Sequence, residues 1–161
     1  MKHIVLNRFF TALAVIAALT FSSCKKDKDP EPIDLTKKAT VQLSGAQEVP
    51  LNNSLGTGTA QVIFDPTPKT IAYTITWHLG NDAATTTNMH FHGAEDGSDT
   101  KSSAVTIGIT GFSTSHTGTI SGVTRALTDA EVNQLLAGKW YINVHSSTVG
   151  SGELRGNIKF N

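Results

Sequence analysis

The sequence predicts an all-β protein, a single antiparallel β-sandwich or Greek-key barrel with one short helix. The composition combines 39% hydrophobic with only 16% charged residues and 14 glycines, as is typical of β-rich domains outside the cytoplasm. From position 39 onward, short runs alternate between apolar and polar residues, and Gly, Pro, Asn and Asp separate these runs. A chain of 161 residues has room for one such domain.

The chain begins with a predicted secretory signal over residues 1–23. Two basic residues precede an apolar run at 9–19, which is shorter than the roughly 20 residues that span a bilayer. Two serines and Cys24 follow, and together they resemble a bacterial lipobox, in which the cysteine is lipidated and becomes the mature N-terminus. The alternative is an ordinary signal peptide followed by a chance cysteine.

A flexible tether is predicted over residues 24–38, because this segment is charged, contains Pro30 and Pro32 and lacks apolar periodicity. Lipid chains on Cys24 would hold the protein at a membrane without a spanning helix. The cysteine is followed by Lys25 rather than Asp, which by resemblance to lipoprotein sorting favours the outer membrane. The predicted location is therefore the cell envelope, with the periplasmic and surface faces both open.

Eight strands are predicted for the domain at 39–161. They span residues 40–47, 57–64, 70–79, 87–92, 104–109, 118–124, 139–146 and 153–160. The third strand shows the alternation most clearly, since Ile71, Ile75 and Trp77 share one face while polar residues occupy the other. Trp77 and Trp140 each share a strand face with branched aliphatic residues, so both are predicted to be buried.

One helix is predicted over residues 128–137, between the sixth and seventh strands. Thr128 and Glu131 have the spacing of a capping box, in which each side chain accepts a hydrogen bond from the other residue's backbone N–H. A short apolar stripe follows, and Gly138 provides the left-handed stop. Because the helix is too short to be stable alone, we expect it to cover one end of the β-structure.

Five short motifs follow one another along the domain. They are Leu-Ser-Gly-Ala-Gln-Glu-Val-Pro at 43–50, Gly-Thr-Gly-Thr-Ala at 56–60, Met-His-Phe-His-Gly at 89–93, Gly-Lys-Trp-Tyr-Ile-Asn-Val-His at 138–145 and Gly-Glu-Leu-Arg-Gly-Asn-Ile at 152–158. In this order they resemble the CHRD domain, which is named for the animal protein chordin and also occurs in bacterial secreted proteins. The resemblance covers residues 39–160. It implies a module of extracellular binding proteins without established enzymatic activity, and it does not imply growth-factor antagonism.

The motif at 89–93 places His90 and His92 on one strand face, about 7 Å apart along the strand. β-proteins commonly offer two such imidazoles to one zinc or copper ion. His145 would be the third ligand if its strand lies nearby. The alternative is that these histidines hydrogen-bond to the backbone, to Asn143 or to each other as a polar cluster.

The His-x-His pair is also similar to the one in copper–zinc superoxide dismutase. That enzyme binds a second metal through further histidines and an aspartate. Only His78 and His116 remain in the domain for such a role, and their spacing does not match that pattern. The candidate cofactor is therefore copper or zinc at His90, His92 and His145.

Charged residues at the two ends of the domain predict a structural ion pair. Either Glu48 or Glu153 is expected to form a bidentate pair with Arg155 that fixes the first strand against the last. A catalytic carboxylate is the alternative, but no paired carboxylates around a cleft are evident. The sequence also contains no Gly-x-Ser-x-Gly nucleophile elbow, so no catalytic residue is predicted.

Two classes of function therefore remain open. The first is a non-catalytic, membrane-tethered binding or structural module outside the cytoplasm, whose partners are the membrane and an extracellular protein or a metal. The second is a redox-related metalloprotein that uses the three strand histidines. The formal net charge is zero and no basic stripe occurs, so nothing predicts nucleic-acid binding.

Overall fold

Eight antiparallel strands and one short α-helix build the fold in the computed structural model, which describes residues 33–93, 97 and 99–161. The strands are β1 (Lys37–Ser44), β2 (Thr57–Asp65), β3 (Thr70–His78), β4 (Thr86–Gly93), β5 (Val105–Gly108), β6 (Thr117–Val123), β7 (Trp140–Ser146) and β8 (Leu154–Ile158). The helix α1 (Asp129–Leu136) lies between β6 and β7 in sequence. The predicted all-β fold class with one short helix is confirmed.

The predicted signal, Cys24 and the first part of the predicted tether lie outside the described residues. Within the part of the chain that is described, no helix is long and apolar enough to cross a membrane.

All eight strands belong to one sheet, in the order β5-β4-β7-β8-β1-β2-β3-β6. The sheet curls around its core, because side chains from strands far apart in this order meet inside it. Tyr73 of β3 packs edge-on against Phe91 of β4, with 5.3 Å between the ring centroids. The indole N–H of Trp77 donates a hydrogen bond to Thr86 at 2.7 Å. The architecture is therefore one curled sheet rather than two separate sheets of a sandwich.

Strand alternation places the apolar side chains on the inner face of the curl, as the sequence predicts. Trp77 and Trp140 are 1% and 0% exposed, which confirms that both are buried. The neighbouring strands β7 and β8 differ from β2 because both of their faces are covered. Tyr141 and Asn143 of β7 and Arg155 of β8 point away from the core and are nevertheless buried. The outer face of β4, β7 and β8 is therefore a part of the sheet where polar side chains are packed.

The helix matches its predicted ends and cap. The hydroxyl of Thr128 accepts a hydrogen bond from the Glu131 N–H, and the Glu131 carboxylate accepts one from the Thr128 N–H. Gly138 has a φ of +69°, the left-handed conformation expected after the last turn. Leu135 is fully buried and anchors the helix on the core. Arg125 pairs with Glu131 at 2.7 Å.

The first and the last predicted strands differ from the structure by more than one residue at an end, whereas the others agree to within one residue. The first strand begins at Lys37, inside the segment predicted as tether, and pairs with β2 from that residue onward. It ends at Ser44 rather than at residue 47, because Gly45–Gln47 form a 3-10 turn whose Gly45 carbonyl accepts hydrogen bonds from the N–H groups of Glu48 and Asn52. The last strand is the shorter Leu154–Ile158 instead of 153–160.

Candidate functional site

The three predicted histidines lie together on the outer face of β4 and β7. These strands are neighbours in the sheet, and their register sets His90 opposite Asn143 and Asn88 opposite His145. His90 therefore lies diagonally next to His145, and the His90 Nδ1 and His145 Nε2 atoms are 3.3 Å apart. His92 joins them from the same strand as His90, with 5.5 Å between their ring centroids. One ring nitrogen from each histidine lies within 4.8 Å of the other two.

Backbone carbonyls orient two of the three imidazoles. The His92 Nδ1 lies 2.9 Å from the carbonyl oxygen of Ser103, and the His145 Nδ1 lies 2.9 Å from that of Gly150. A carbonyl oxygen only accepts hydrogen bonds, so each Nδ1 carries its proton and donates it. In a neutral ring the lone pair is then on Nε2. This is the arrangement that metal-binding histidines commonly adopt, because the second hydrogen bond fixes the tautomer and the ring orientation.

The Nε2 atoms of His92 and His145 face different neighbours. For His145, the Nε2 accepts a hydrogen bond from the His90 Nδ1. For His92, the Nε2 lies 3.0 Å from the Asn143 Oδ1. An imidazolium satisfies both His92 contacts as a double donor, whereas a neutral ring requires Asn143 to turn its amide and donate from Nδ2.

Burial keeps the imidazoles in the form that binds metals. His92 is only 6% exposed, and this burial lowers its pKa below the ordinary value. The pKa of His90 is also lowered, first by burial and then by the charges of His145 and His92. Both rings are therefore neutral near pH 7, and neutral imidazole is the form that coordinates a metal ion.

An aromatic stack supports His92 from the neighbouring strand. The Tyr141 ring lies parallel to the His92 imidazole, with 4.5 Å between centroids and 2° between planes. On the other strand beside β7, the Arg155 guanidinium lies 3.5 Å from the centroid of the Tyr141 ring, as a cation–π contact. The Tyr141 hydroxyl accepts a hydrogen bond from the Ser103 N–H at 3.0 Å. The stack therefore holds both the His92 ring and the Ser103 loop that orients it.

The two candidate acids for the Arg155 ion pair have different environments. The Glu153 carboxylate accepts hydrogen bonds from the Ser54 hydroxyl and the Gly80 N–H, each at 2.6 Å. Burial raises the pKa of Glu153, but hydrogen bonds from Ser146, Ser54 and Gly80 together lower it by more than burial raises it. The pKa of Glu153 is therefore below its ordinary value. Glu153 thus fastens the loops around residues 54 and 80 to the end of the domain.

Glu48 is the acid whose charge interacts with Arg155. Burial raises the pKa of Glu48 more than the attraction of Arg155 and a hydrogen bond from Asn143 lower it, so the net pKa is raised. Its Oε1 atom is buried and has no hydrogen-bond partner among the described residues. Glu48 and His92 therefore both interact with the amide of Asn143.

Sequence reasoning found the histidines but missed the loop atoms that orient them. The carbonyls of Ser103 and Gly150 carry no sequence signal, because every residue has a carbonyl. Sequence reasoning also missed that His78 and His116 lie close to Asp82 in the structure. Comparing their spacing with one known enzyme did not reveal this, because the contact depends on the pairing of β3 with β6.

Comparison with known proteins gives one match. The CHRD domain family matches residues 39–158 of the chain. No curated protein sequence and no solved structure matches it.

Proposed function

Because the chain belongs to the CHRD domain family, we propose that it is a non-catalytic binding module outside the cytoplasm, tethered to a membrane by a lipid on Cys24. Membership of the family indicates an extracellular-type module. The predicted signal at 1–23 and the small residues before Cys24 supply the export and the anchor. The charged, proline-containing segment at 25–36 then separates the lipid from β1, which begins at Lys37.

Labelling with palmitate tests the anchor. The full-length chain should incorporate labelled palmitate when expressed in a bacterium, and Cys24→Ser should abolish the incorporation. Unchanged labelling of Cys24→Ser would contradict the proposal. A Lys25→Asp variant provides the matched control, because it should keep the label while moving the protein from the outer-membrane to the inner-membrane fraction.

We further propose that the ligand of this module is a copper or zinc ion held by His90, His92 and His145. The observation that carries this proposal is that His92 and His145 both donate their Nδ1 proton to a backbone carbonyl, which places the lone pair of each neutral ring on Nε2. An ion would replace the present contacts of these two Nε2 atoms with Asn143 and His90. The His90 Nδ1 and His145 Nε2 atoms are 3.3 Å apart, which matches the separation of about 3.3 Å between two ligands on a tetrahedral zinc ion, and His90 would bind through Nδ1 as the tautomer that carries its proton on Nε2.

Three imidazole ligands leave one position open for water or for a further ligand. With zinc, such a site binds without redox chemistry. With copper, it would support one-electron chemistry, which is the redox-related form of the proposal. The competing account is that the same hydrogen bonds only join β4, β7 and their loops as a polar cluster.

Metal analysis of the full-length protein separates these accounts. The protein is purified without a chelator and without nickel resin, and its metal content is measured per chain. We expect at least one equivalent of copper or zinc that is lost in His145→Gln, with the identity of the ion deciding between the redox and the non-redox form. Protein that contains neither ion and takes up neither when it is added would contradict the metal site.

A further inference from the structure

We propose that His78, Asp82 and His116 form a second site, for a divalent transition-metal ion such as zinc. The three residues come from different parts of the chain than the first three histidines do. His78 is the last residue of β3, Asp82 lies in the connection from β3 to β4, and His116 immediately precedes β6. One ligand atom from each lies within 4.8 Å of the other two.

The two imidazoles face the same carboxylate oxygen. The His78 Nε2 lies 3.7 Å from the Asp82 Oδ1, and the His116 Nε2 lies 3.9 Å from that same atom. Ligand atoms on a tetrahedral zinc ion are separated by about 3.3 Å. Each of the two separations from the Asp82 Oδ1 therefore needs to shorten by about half an ångström. The side chains of His78 and Asp82 are 56% and 83% exposed, so rotation about their side-chain bonds can supply this movement without repacking the core.

The backbone brings the ligands together before any ion binds. Thr117 pairs with His78 in the register of β3 and β6, and the Leu79 N–H donates to the His116 carbonyl at 2.7 Å. These contacts hold the two imidazoles edge to face, with 5.4 Å between their centroids. Asp82 lies in a turn in which Asn81 accepts hydrogen bonds from the N–H groups of the two residues after Asp82. The position of all three Cα atoms is therefore fixed by the fold.

The donor set selects the class of ion. Two neutral imidazoles and one carboxylate suit zinc and its transition-metal neighbours, whereas calcium and magnesium prefer sites made of oxygen alone. The site is open to solvent, since even His116 has a side chain that is 33% exposed, and water would complete the coordination. Without an ion, the contacts of His78 and His116 with the exposed Asp82 carboxylate are 3.7 and 3.9 Å long and contribute little to stability.

Binding at this site would link two connections of the sheet. The ion would join the turn after β3 to the segment before β6, and it would stabilise the folded state by mass action. The site does not depend on the first three histidines, so it stands or falls separately from the metal site proposed above.

Zinc titration of the full-length chain tests the second site. All proteins in this titration carry His145→Gln. This substitution removes a ligand of the first site, so that zinc binding at the second site can be measured separately. They also share the same N-terminal segment with Cys24, so a difference between variants reports the cluster alone. The variants are Asp82→Asn and His116→Gln. Asp129→Asn is the control, because it removes another exposed carboxylate from an ion pair, the one with Lys69.

We expect calorimetry to show that Asp82→Asn and His116→Gln each bind zinc at least tenfold more weakly, since even the loss of a partner that only orients a ligand costs roughly 10–100-fold. Asp129→Asn should bind as the parent does. In the parent, zinc should also shift the imidazole NMR signals of His78 and His116. Equal affinity in Asp82→Asn and the parent, or no shift of these two signals at millimolar zinc, would overturn the proposal.

Discussion

The two faces of the β4–β7 pair are built differently although they belong to the same strands. The inner face holds five fully buried apolar side chains, Met89, Phe91, Trp140, Ile142 and Val144. The outer face holds polar side chains, among them His90, His92, Asn143 and His145. Packing alone satisfies the first group, whereas the second depends on hydrogen bonds from loops that cross it. The difference indicates that the inner face is the main source of stability, whereas the outer face depends on the pairing of its donors and acceptors.

The two faces also differ in how burial of a side chain affects the stability of the fold. An apolar side chain on the inner face gains stability simply by leaving water. A polar side chain on the outer face loses its hydration and recovers that loss only where each donor and acceptor is paired. His92 and Asn143 are both buried there, so their mutual contact and the carbonyl of Ser103 are needed to offset the loss.

The largest expected effect comes from the inner face. Trp140→Ala should lower the free energy of unfolding by about 3–5 kcal/mol, because it leaves a large cavity beside Phe91. Denaturant unfolding at neutral pH measures this value. A loss below about 1 kcal/mol would show that the inner face is not the main source of stability.

Phenylalanine at the two tryptophan positions sharpens this test. The Trp77 N–H donates to Thr86, whereas the Trp140 N–H is buried without a partner among the described residues. Trp77→Phe should therefore cost about 1 kcal/mol more than Trp140→Phe, the value of one hydrogen bond. Equal costs would show that the two indole N–H groups have equivalent environments.

A smaller effect is expected from the outer face. Asn143→Ala should lower the free energy of unfolding by about 1–3 kcal/mol, because it removes the amide that contacts His92 and Glu48 and leaves buried polar atoms unpaired. The control is Gln42→Ala, an exposed position on β1, which should change stability by no more than about 0.5 kcal/mol. Similar costs at both positions would mean that the outer-face hydrogen bonds do not stabilise the fold.

The smallest expected effect is a loss of stability in mild acid. Burial lowers the pKa of His92 and His90 in the folded protein below the ordinary value of 6.5. Below about pH 6.5 the unfolded chain therefore binds more protons than the folded one does. The stabilisation is complete above that pH and is lost as the pH falls through the lowered pKa values.

Unfolding of metal-free protein between pH 7.5 and about 5 measures this dependence. The slope should be shallower in His92→Gln, because glutamine does not titrate. An identical slope in the parent and the variant would show that His92 does not contribute to it.

The inner face was predictable from sequence and the outer face was only partly so. Alternation with a period of two identified the buried tryptophans and the shared face of His90 and His92. It did not predict that β4 and β7 are neighbours, which is a property of topology. The end of β1 was missed because the turn at Gly45–Gln47 depends on a contact with Asn52. The grouping of His78 and Asp82 with the distant His116 was missed for the same reason, since it requires the pairing of β3 with β6.

The central claim is that the outer face of β4 and β7 holds a metal ion. The most direct test is a titration of zinc and of copper into full-length protein that carries Asp82→Asn, which removes a ligand of the second cluster. His145→Gln is then compared with its parent, since the two hydrogen bonds of His145, with His90 and Gly150, lie outside the apolar core. We expect affinity to fall at least roughly tenfold, while the free energy of unfolding of the metal-free protein falls by no more than about 1.5 kcal/mol, the upper value for one hydrogen bond. No measurable affinity in the parent, or equal affinity in both proteins, would contradict the claim.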